Sequence, residues 1–378
     1  EAIKYFKMAI DKGNASAMYD YANILDDDDD EIYYNKEEAI NYYKMASDYG
    51  NSEAMFNYAT ILFEGDGISI NKAEAIKYYK MAIEKGNINA MHNFAFILYT
   101  GDGVCVNKKE AVKYFKMAGD KGNIRSMYMY AYILYIGDGV PNDDKESLKY
   151  FKMASDGGIK EAMYFYAQML SNGNGIQVDK IEAAKYFKMA SDEGEVHAMF
   201  SYAYMLEHGD GIPANKEEAI KYYKMAADKG HINAMCYYGN FLADGDGIPA
   251  NIEEALKYYK LSADQGCCNS MLNYANVLFE GKEIQANKEE AIKYIKMAVD
   301  IGNDEAMVKY ANILKNGDGI PKDIINAIKY YKMAIEKGNS NAMHMYDFML
   351  SSGDGIKVNK NEAIKYYKMA IDKGNSNS

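Results

Sequence analysis

The chain has 378 residues with 43 Lys or Arg against 55 Asp or Glu, a net charge of −12, which argues against a nucleic-acid partner, because phosphates are bound through clustered basic side chains. Hydrophobic residues make up 49% and aromatics 13%, with 37 Tyr, no Trp and only 4 Pro, so a disordered polymer is excluded and tyrosine carries the bulky packing role. No run of eighteen apolar residues exists to insert in a membrane, and the 4 cysteines fall on no common spacing, which argues against a disulfide framework and favours a reducing, cytoplasmic location.

Taken in chain order, the sequence starts at Glu1, inside a repeating unit, and Asn14 is the first helix cap; Asn14-Ala15-Ser16 also fits a weak glycosylation acceptor. A run of acids from Asp26 to Glu31 follows, with oxygen enough for a divalent cation but without the alternating spacing of a calcium loop, and it reads as a flexible acidic loop. In Asn51 to Leu62, the apolar residues Ala54, Met55, Tyr58, Ala59 and Leu62 lie at helical spacing. Gly65 then opens a series at 36-residue intervals: Gly101, Gly137, Gly173, Gly209, Gly245, Gly281, Gly317 and Gly353. Such a period marks one supersecondary unit stacked many times, each burying its apolar face on its neighbours.

The stretch Asn215 to Gly230 is representative. Asn215 and Glu218 have capping-box spacing; Ala219, Tyr222, Tyr223 and Ala226 form one apolar face; Gly230 closes the helix in a left-handed conformation. A second helix runs from Asn233 to Leu242, which makes a helical hairpin, and the loop Gly245 to Asn251 leads to the next cap with Ile248 expected as a buried plug. Pro141, Pro213, Pro249 and Pro321 all occupy this loop slot, outside the helices. Lysines such as Lys77 and Lys80, flanked by Glu74 and Glu84, read as a solvated face. Cys267 and Cys268 replace an Asn and a variable residue of other units, and the loop Gly281-Lys282-Glu283 lacks its second glycine. The chain stops at Gly374 to Ser378, where another unit would begin, so one array spanning 1–378 and cut at both ends is expected.

Two helices per unit, an alanine-rich seam, seven Gly-Asp-Gly loops and a following Asn-Lys-x-Glu-Ala resemble the Sel-one-like repeat family (SLR), a relative of the tetratricopeptide repeat. Ten helix-loop-helix passages from Asn14 to Gly374 carry the likeness. Ala22, Ala59 and Ala95 stand where the family usually has Gly, which survives only at Gly239, and Tyr78-Tyr79 or Tyr114-Phe115 replace the family's Trp-Tyr. The resemblance implies an all-α, right-handed superhelix of about ten hairpins and a scaffold or adaptor binding protein partners on a concave face. As an alternative it implies the regulatory or targeting region of a larger enzyme, such as a kinase or a ubiquitin-ligase component.

Chemistry is sparse along the chain. His92, His197, His208, His231 and His344 lie in separate units without the paired spacing of a metal helix, so no metal or cofactor is expected. Gly-Asp-Gly lacks the Lys-Ser/Thr of a phosphate loop, and no Ser-His-acid or Cys-His arrangement is recognisable, so no enzyme activity is expected.

Comparison of units with one another isolates the slots that vary. In the helix carrying Ala-Met-x-x-Tyr-Ala they fall at i, i+3, i+7 and i+10, one stripe away from the core, which by resemblance lines the concave face. The stripe reads Asn89, His92, Phe96, Tyr99; then Arg125, Tyr128, Tyr132, Tyr135; then Glu161, Tyr164, Gln168; then His197, Phe200, Tyr204. It continues as Asn233, Cys236, Asn240; Asn269, Leu272, Asn276; and Glu305, Val308, Asn312. Aromatics and Arg dominate interface energetics, so a groove for a peptide or partner helix is expected from His92 to Tyr204, formed by His92, Phe96, Tyr99, Arg125, Tyr128, Tyr132, Tyr135, Tyr164, Gln168, His197, Phe200 and Tyr204.

Overall fold

The computed structural model describes residues 2–27, 34–281 and 284–372, and every regular element among them is an α-helix. The helices divide between two compact units, 1–195 and 196–378. The first holds α1 (Ala2–Ile10), α2 (Ala15–Leu25), α3 (Lys36–Asp48), α4 (Ser52–Glu64), α5 (Lys72–Glu84), α6 (Ile88–Thr100), α7 (Lys108–Asp120), α8 (Ile124–Ile136), α9 (Asp144–Asp156), α10 (Lys160–Asn172) and α11 (Lys180–Asp192). The second holds α12 (Val196–His208), α13 (Lys216–Asp228), α14 (Ile232–Asp244), α15 (Ile252–Asp264), α16 (Cys268–Glu280), α17 (Lys288–Asp300), α18 (Asp304–Asn316), α19 (Ile324–Glu336), α20 (Ser340–Ser352) and α21 (Lys360–Asp372). Within each unit, every even-numbered helix packs most closely on the odd-numbered helix that follows it. Each unit is thus a stack of helical hairpins.

The sequence dictates where each helix starts and stops. At α13 the Asn215 side chain accepts from the Glu218 amide (3.2 Å), which caps one terminal amide, and donates to the Glu218 carboxylate (3.1 Å), which holds the capping side chain in place. The buried face of the helix is Ala219, Ile220, Tyr222, Tyr223, Ala226 and Ala227. Ala219 and Ala226 have no exposed surface, which lets neighbouring backbones approach. The helix ends where Gly230 takes a φ of +91°, a conformation that costs a side-chain-bearing residue.

An aromatic pair, mostly of tyrosines, joins the two helices of each hairpin. In the first unit the edge-to-face pairs are Tyr21–Tyr42, Tyr58–Tyr78, Phe94–Tyr114, Tyr130–Tyr150 and Tyr166–Tyr186. The second repeats them as Tyr202–Tyr222, Tyr238–Tyr258, Tyr274–Tyr294, Tyr310–Tyr330 and Tyr346–Tyr366. Each such pair contributes about 0.5–1.5 kcal/mol beyond the burial of its area. The lysine faces are not merely solvated: Lys80 lies over the Phe94 ring at 5.4 Å and Lys224 over Tyr238 at 5.7 Å, their stems covering the aromatic pair of the next hairpin.

The Gly-Asp-Gly loops tie each hairpin to the one before it. Asp246 pairs with Lys216, one hairpin back, at 2.8 Å, and a Cβ added to Gly247 would lie 2.9 Å from Ile220 Cδ1. Lys72–Asp102, Lys108–Asp138 and Lys288–Asp318 repeat the pairing. Ile248 is half-buried rather than a fully enclosed plug, and the four prolines lie outside the helices. Of the acidic run, Asp26 and Asp27 are described; Asp26 pairs with Lys36 at 2.6 Å. Residues 28–31, and Lys282 and Glu283 of the irregular loop, lie outside the described residues.

Candidate partner-binding surfaces

In the first unit, the predicted residues come from α6, α8 and α10, whose Ala-Met and Tyr-Ala positions turn inward and leave the intervening slots towards the surface. Phe96 and Arg125 are exposed, and His92, Tyr99, Tyr128, Tyr132, Tyr135, Tyr164 and Gln168 are half-buried. Five of them meet directly or through one residue that the stripe reading leaves out, Phe165. Its ring lies 5.4 Å from Tyr132, 5.7 Å from Tyr135, 6.4 Å from Tyr128 and 5.2 Å from Tyr164, and it stacks at 5.3 Å on the fully buried Phe151 of α9. Tyr135 donates to Gln168 at 3.5 Å. Burial raises the Tyr128 phenol to about 12, so the cluster presents neutral rings.

His92 and Phe96 sit apart from that cluster, at a surface hollow of about 340 Å³ whose walls also include Phe63, Glu64, Tyr79, Asn93 and Ile97. The imidazole Nδ1 of His92 is 2.8 Å from Ser126 Oγ, and burial, helped by the Arg125 charge, lowers its proton affinity. A neutral ring therefore faces the hollow. Tyr99 is engaged elsewhere: its hydroxyl donates to Asp138 at 2.6 Å, a bond that raises the phenol to about 12, while Lys108 holds the same carboxylate.

In the second unit, α12 carries His197, Phe200 and Tyr204; His197 and Tyr204 are exposed and Phe200 is half-buried. Phe200 stacks on His231 at 4.7 Å, His197 meets the same ring edge-on at 5.1 Å, and Tyr204 stacks on His208 at 4.1 Å. Tyr237 joins this set at 5.5 Å from Phe200, and Tyr223 beneath it donates to Glu207 at 2.7 Å. His231 is the N-cap of α14, its Nδ1 accepting from the Ala234 amide at 3.1 Å. That role requires the unprotonated nitrogen, and burial, with the neighbouring His197, lowers its proton affinity to about 4.

Further along the second unit the stripe departs from the sequence expectation. Cys236, Leu272 and Val308 occupy the slot of Tyr128 and Phe200 but are only 5%, 5% and 8% exposed. The slot overlies the helix seam, so a small side chain sinks into the core and only a large ring emerges. The asparagines there hold the frame: Asn240 accepts from Tyr259 at 2.8 Å and from Asn273 at 2.9 Å, and Asn312 accepts from Tyr331 at 2.5 Å.

The stripe reading also passes over the column one residue further on, which contains Asn93, Phe165, Tyr237 and Lys309. This column varies between units as strongly as the stripe, and a step of four along a helix sets its members beside stripe residues, as Phe165 lies one turn on from Glu161. Among the described residues no three His, Cys, Asp or Glu side chains are grouped to hold a metal, and no helix is long and apolar enough to cross a membrane.

The sequence profile described as Sel1 repeat matches in eleven successive segments: 1–14, 15–51, 52–87, 88–123, 124–159, 160–195, 196–231, 232–267, 269–303, 304–339 and 341–375. The chain belongs to the Sel1 repeat family. From residue 15 on, the segments begin at, or one residue into, the Ala-Met helices, so the Sel1 unit pairs each of these with the Lys-x-Glu-Ala helix that follows, as the packing does. Among solved structures, a protective antigen with an SLR fold from uropathogenic Escherichia coli strains is similar, with a TM-score of 0.92 and 24% identity over 99% of this chain and 80% of its own. A Sel1 repeat protein from Oxalobacter formigenes has a TM-score of 0.64 at 20% identity, over 84% of this chain and 90% of its own. At these identities the likeness is one of fold. No curated protein matches the chain. The Sel1 framework accounts for the repeated alanines, tyrosines and loop glycines, and the rings that differ between units are left to distinguish this array from another.

Proposed function

We propose that the chain is a non-enzymatic scaffold or adaptor that binds protein partners through the aromatic surface of its first unit. The observation that carries this reading is the set of half-buried neutral rings, Tyr128, Tyr132, Tyr135 and Phe165, together with the hollow at His92 and Phe96. Rings already held by their neighbours lose little conformational freedom on binding, and the hollow has room for an apolar anchor side chain. Asn93, whose amide also donates to Tyr79 at 3.4 Å, stands beside it as a polar group for a peptide backbone. The partner in this reading is a peptide or helix with a bulky apolar residue for the hollow, beside the Glu64 carboxylate that also lines it. Phe200 and Tyr204 offer a second aromatic surface on the second unit, of the same chemistry. A cytoplasmic location belongs to this reading, supported by four cysteines that ignore the repeat period.

The test is selection of a displayed random-peptide library on the purified chain. Enrichment of peptides with a common bulky apolar position, which lose binding to the Phe96→Ala and Tyr132→Ala variants while helicity is kept, supports the reading. Peptides that bind both variants as they bind the parent overturn it.

A further inference from the structure

One helix of the second unit lacks a ring that the repeat otherwise supplies. From Tyr43 to Tyr367 an aromatic residue recurs at every 36th position of the Lys-x-Glu-Ala helices, and only α17 breaks the series, with Ile295. Where the ring is a tyrosine, its hydroxyl serves the asparagine facing it: Tyr259 donates to Asn240 at 2.8 Å and Tyr331 to Asn312 at 2.5 Å. Asn276 holds the same slot of α16, and Ile295 has no hydroxyl to offer it. Lys309, reaching over from α18, donates to the Asn276 carbonyl oxygen instead. Beside the missing ring a hollow of about 240 Å³ lies between α16 and α18.

The hollow has walls of three kinds. Phe279, Ile295 and Ile313 are apolar. Lys309, Asn276 and Asn312 supply donors: an ammonium only donates, so Asn276 turns its oxygen to Lys309 and its NH2 away, and Asn312, whose oxygen takes the Tyr331 hydroxyl, keeps its NH2 likewise. Glu280 and Asp318 bring carboxylates to the same space, Asp318 also pairing with Lys288. Lys309 is half-buried, and its lost hydration lowers its proton affinity against the pull of Glu305 and Glu280. A carboxylate placed there would replace the missing water.

We propose that this hollow binds a free α-amino acid with an aliphatic side chain. Its carboxylate meets Lys309 and the NH2 groups of Asn276 and Asn312, its ammonium lies towards Glu280 and Asp318, and its side chain packs on Ile295, Ile313 and Phe279. A plain carboxylate would face the acidic groups and a plain amine would face Lys309, whereas a zwitterion matches both signs. The volume falls below the about 300–1,000 Å³ of pockets that enclose drug-sized molecules, which suits a ligand of amino-acid size. The site belongs to the second unit and does not depend on the aromatic surface of the first.

The test is isothermal titration calorimetry of L-leucine on the whole chain, with 4-methylpentanoate and isoamylamine, which each lack one of the two charged groups, as comparison ligands. Saturable binding of L-leucine is expected, with each comparison ligand at least about tenfold weaker. Ile295→Tyr restores the ring of the other hairpins and fills the hollow, so it is expected to abolish leucine binding without lowering the thermal midpoint. Lys309→Met, with helicity verified, is expected to weaken leucine binding about tenfold or more. No saturable binding of leucine by the parent chain, equal affinity for leucine and either comparison ligand, or unchanged leucine binding in Ile295→Tyr or Lys309→Met overturns the proposal.

Discussion

The ring of Phe165 lies parallel to that of Phe151, with planes 15° apart and centroids at 5.3 Å, so a residue at the rim of the first unit's aromatic surface is anchored in its core. Three tyrosines, Tyr128, Tyr132 and Tyr135, gather on it. Phe165→Ala is expected to cost about 2 kcal/mol, below the range for a fully enclosed Phe because this ring is half-buried. Urea unfolding followed by far-ultraviolet circular dichroism measures it. A loss under about 0.5 kcal/mol would mean that the ring is peripheral.

Asn87 joins two hairpins while capping one. It is 4% exposed, accepts from the Ala90 amide at 2.8 Å and donates to the Ser52 carbonyl at 3.3 Å. Asn87→Ala leaves the Ala90 amide without its cap and removes the tie to the Ser52 carbonyl of the preceding hairpin, and is expected to destabilise by about 2 kcal/mol. The equivalent change at Asn51, whose cap is half-buried and carries the one bond to Ala54, is expected to cost about 1 kcal/mol. Equal losses in chemical denaturation would remove the distinction.

In the second unit, His231 makes stability depend on pH. Its proton affinity falls from the ordinary 6.5 to about 4 on folding, so the unfolded chain takes up the proton first. Its contribution is complete above about pH 6.5 and is lost as pH falls towards 4, a change of about 1–2 kcal/mol after allowance for partial exposure. His231→Asn installs the cap used at Asn303 and Asn339 and is expected to flatten that part of the stability profile. Thermal unfolding of both proteins between pH 7 and 4.5 is the check, and parallel profiles would contradict it.

Within the loop Gly245-Asp246-Gly247, glycine and aspartate are expected to differ in weight. Gly247 has a φ of +84°, and a Cβ there would also press on the end of the Ile220 side chain, so Gly247→Ala should cost about 1–2 kcal/mol. Asp246 and its partner Lys216 are both about half exposed, and Asp246→Asn should change stability by less than about 0.5 kcal/mol, fading further in 0.5 M salt. Chemical denaturation of the two variants side by side decides the order.

Much of the fold is legible in the sequence because each unit repeats the same local instructions: Asn215 before Glu218 starts a helix, Gly230 ends it, and Ala219 and Tyr223 name the face to bury. The stripe of the first unit is legible too, since Phe96 and Tyr132 occupy slots that vary from unit to unit and stay near the surface. Phe165 is not, because its neighbours Tyr132, Tyr135 and Phe151 come from two other helices and periodicity along one helix cannot weigh such contacts. The slot of Leu272 and Val308 misleads in the opposite direction, because depth there depends on side-chain size and a sequence slot has no depth of its own.

The central claim, that the aromatic surface of the first unit captures a protein partner, is tested most directly by fluorescence anisotropy of a library-selected peptide on the chain and its variants. The account predicts that Phe96→Ala and Tyr132→Ala each weaken binding by about tenfold or more, with helicity unchanged, while Ile325→Ala, at a side chain 82% exposed in the second unit, leaves it intact. Equal affinities across all four proteins would contradict it.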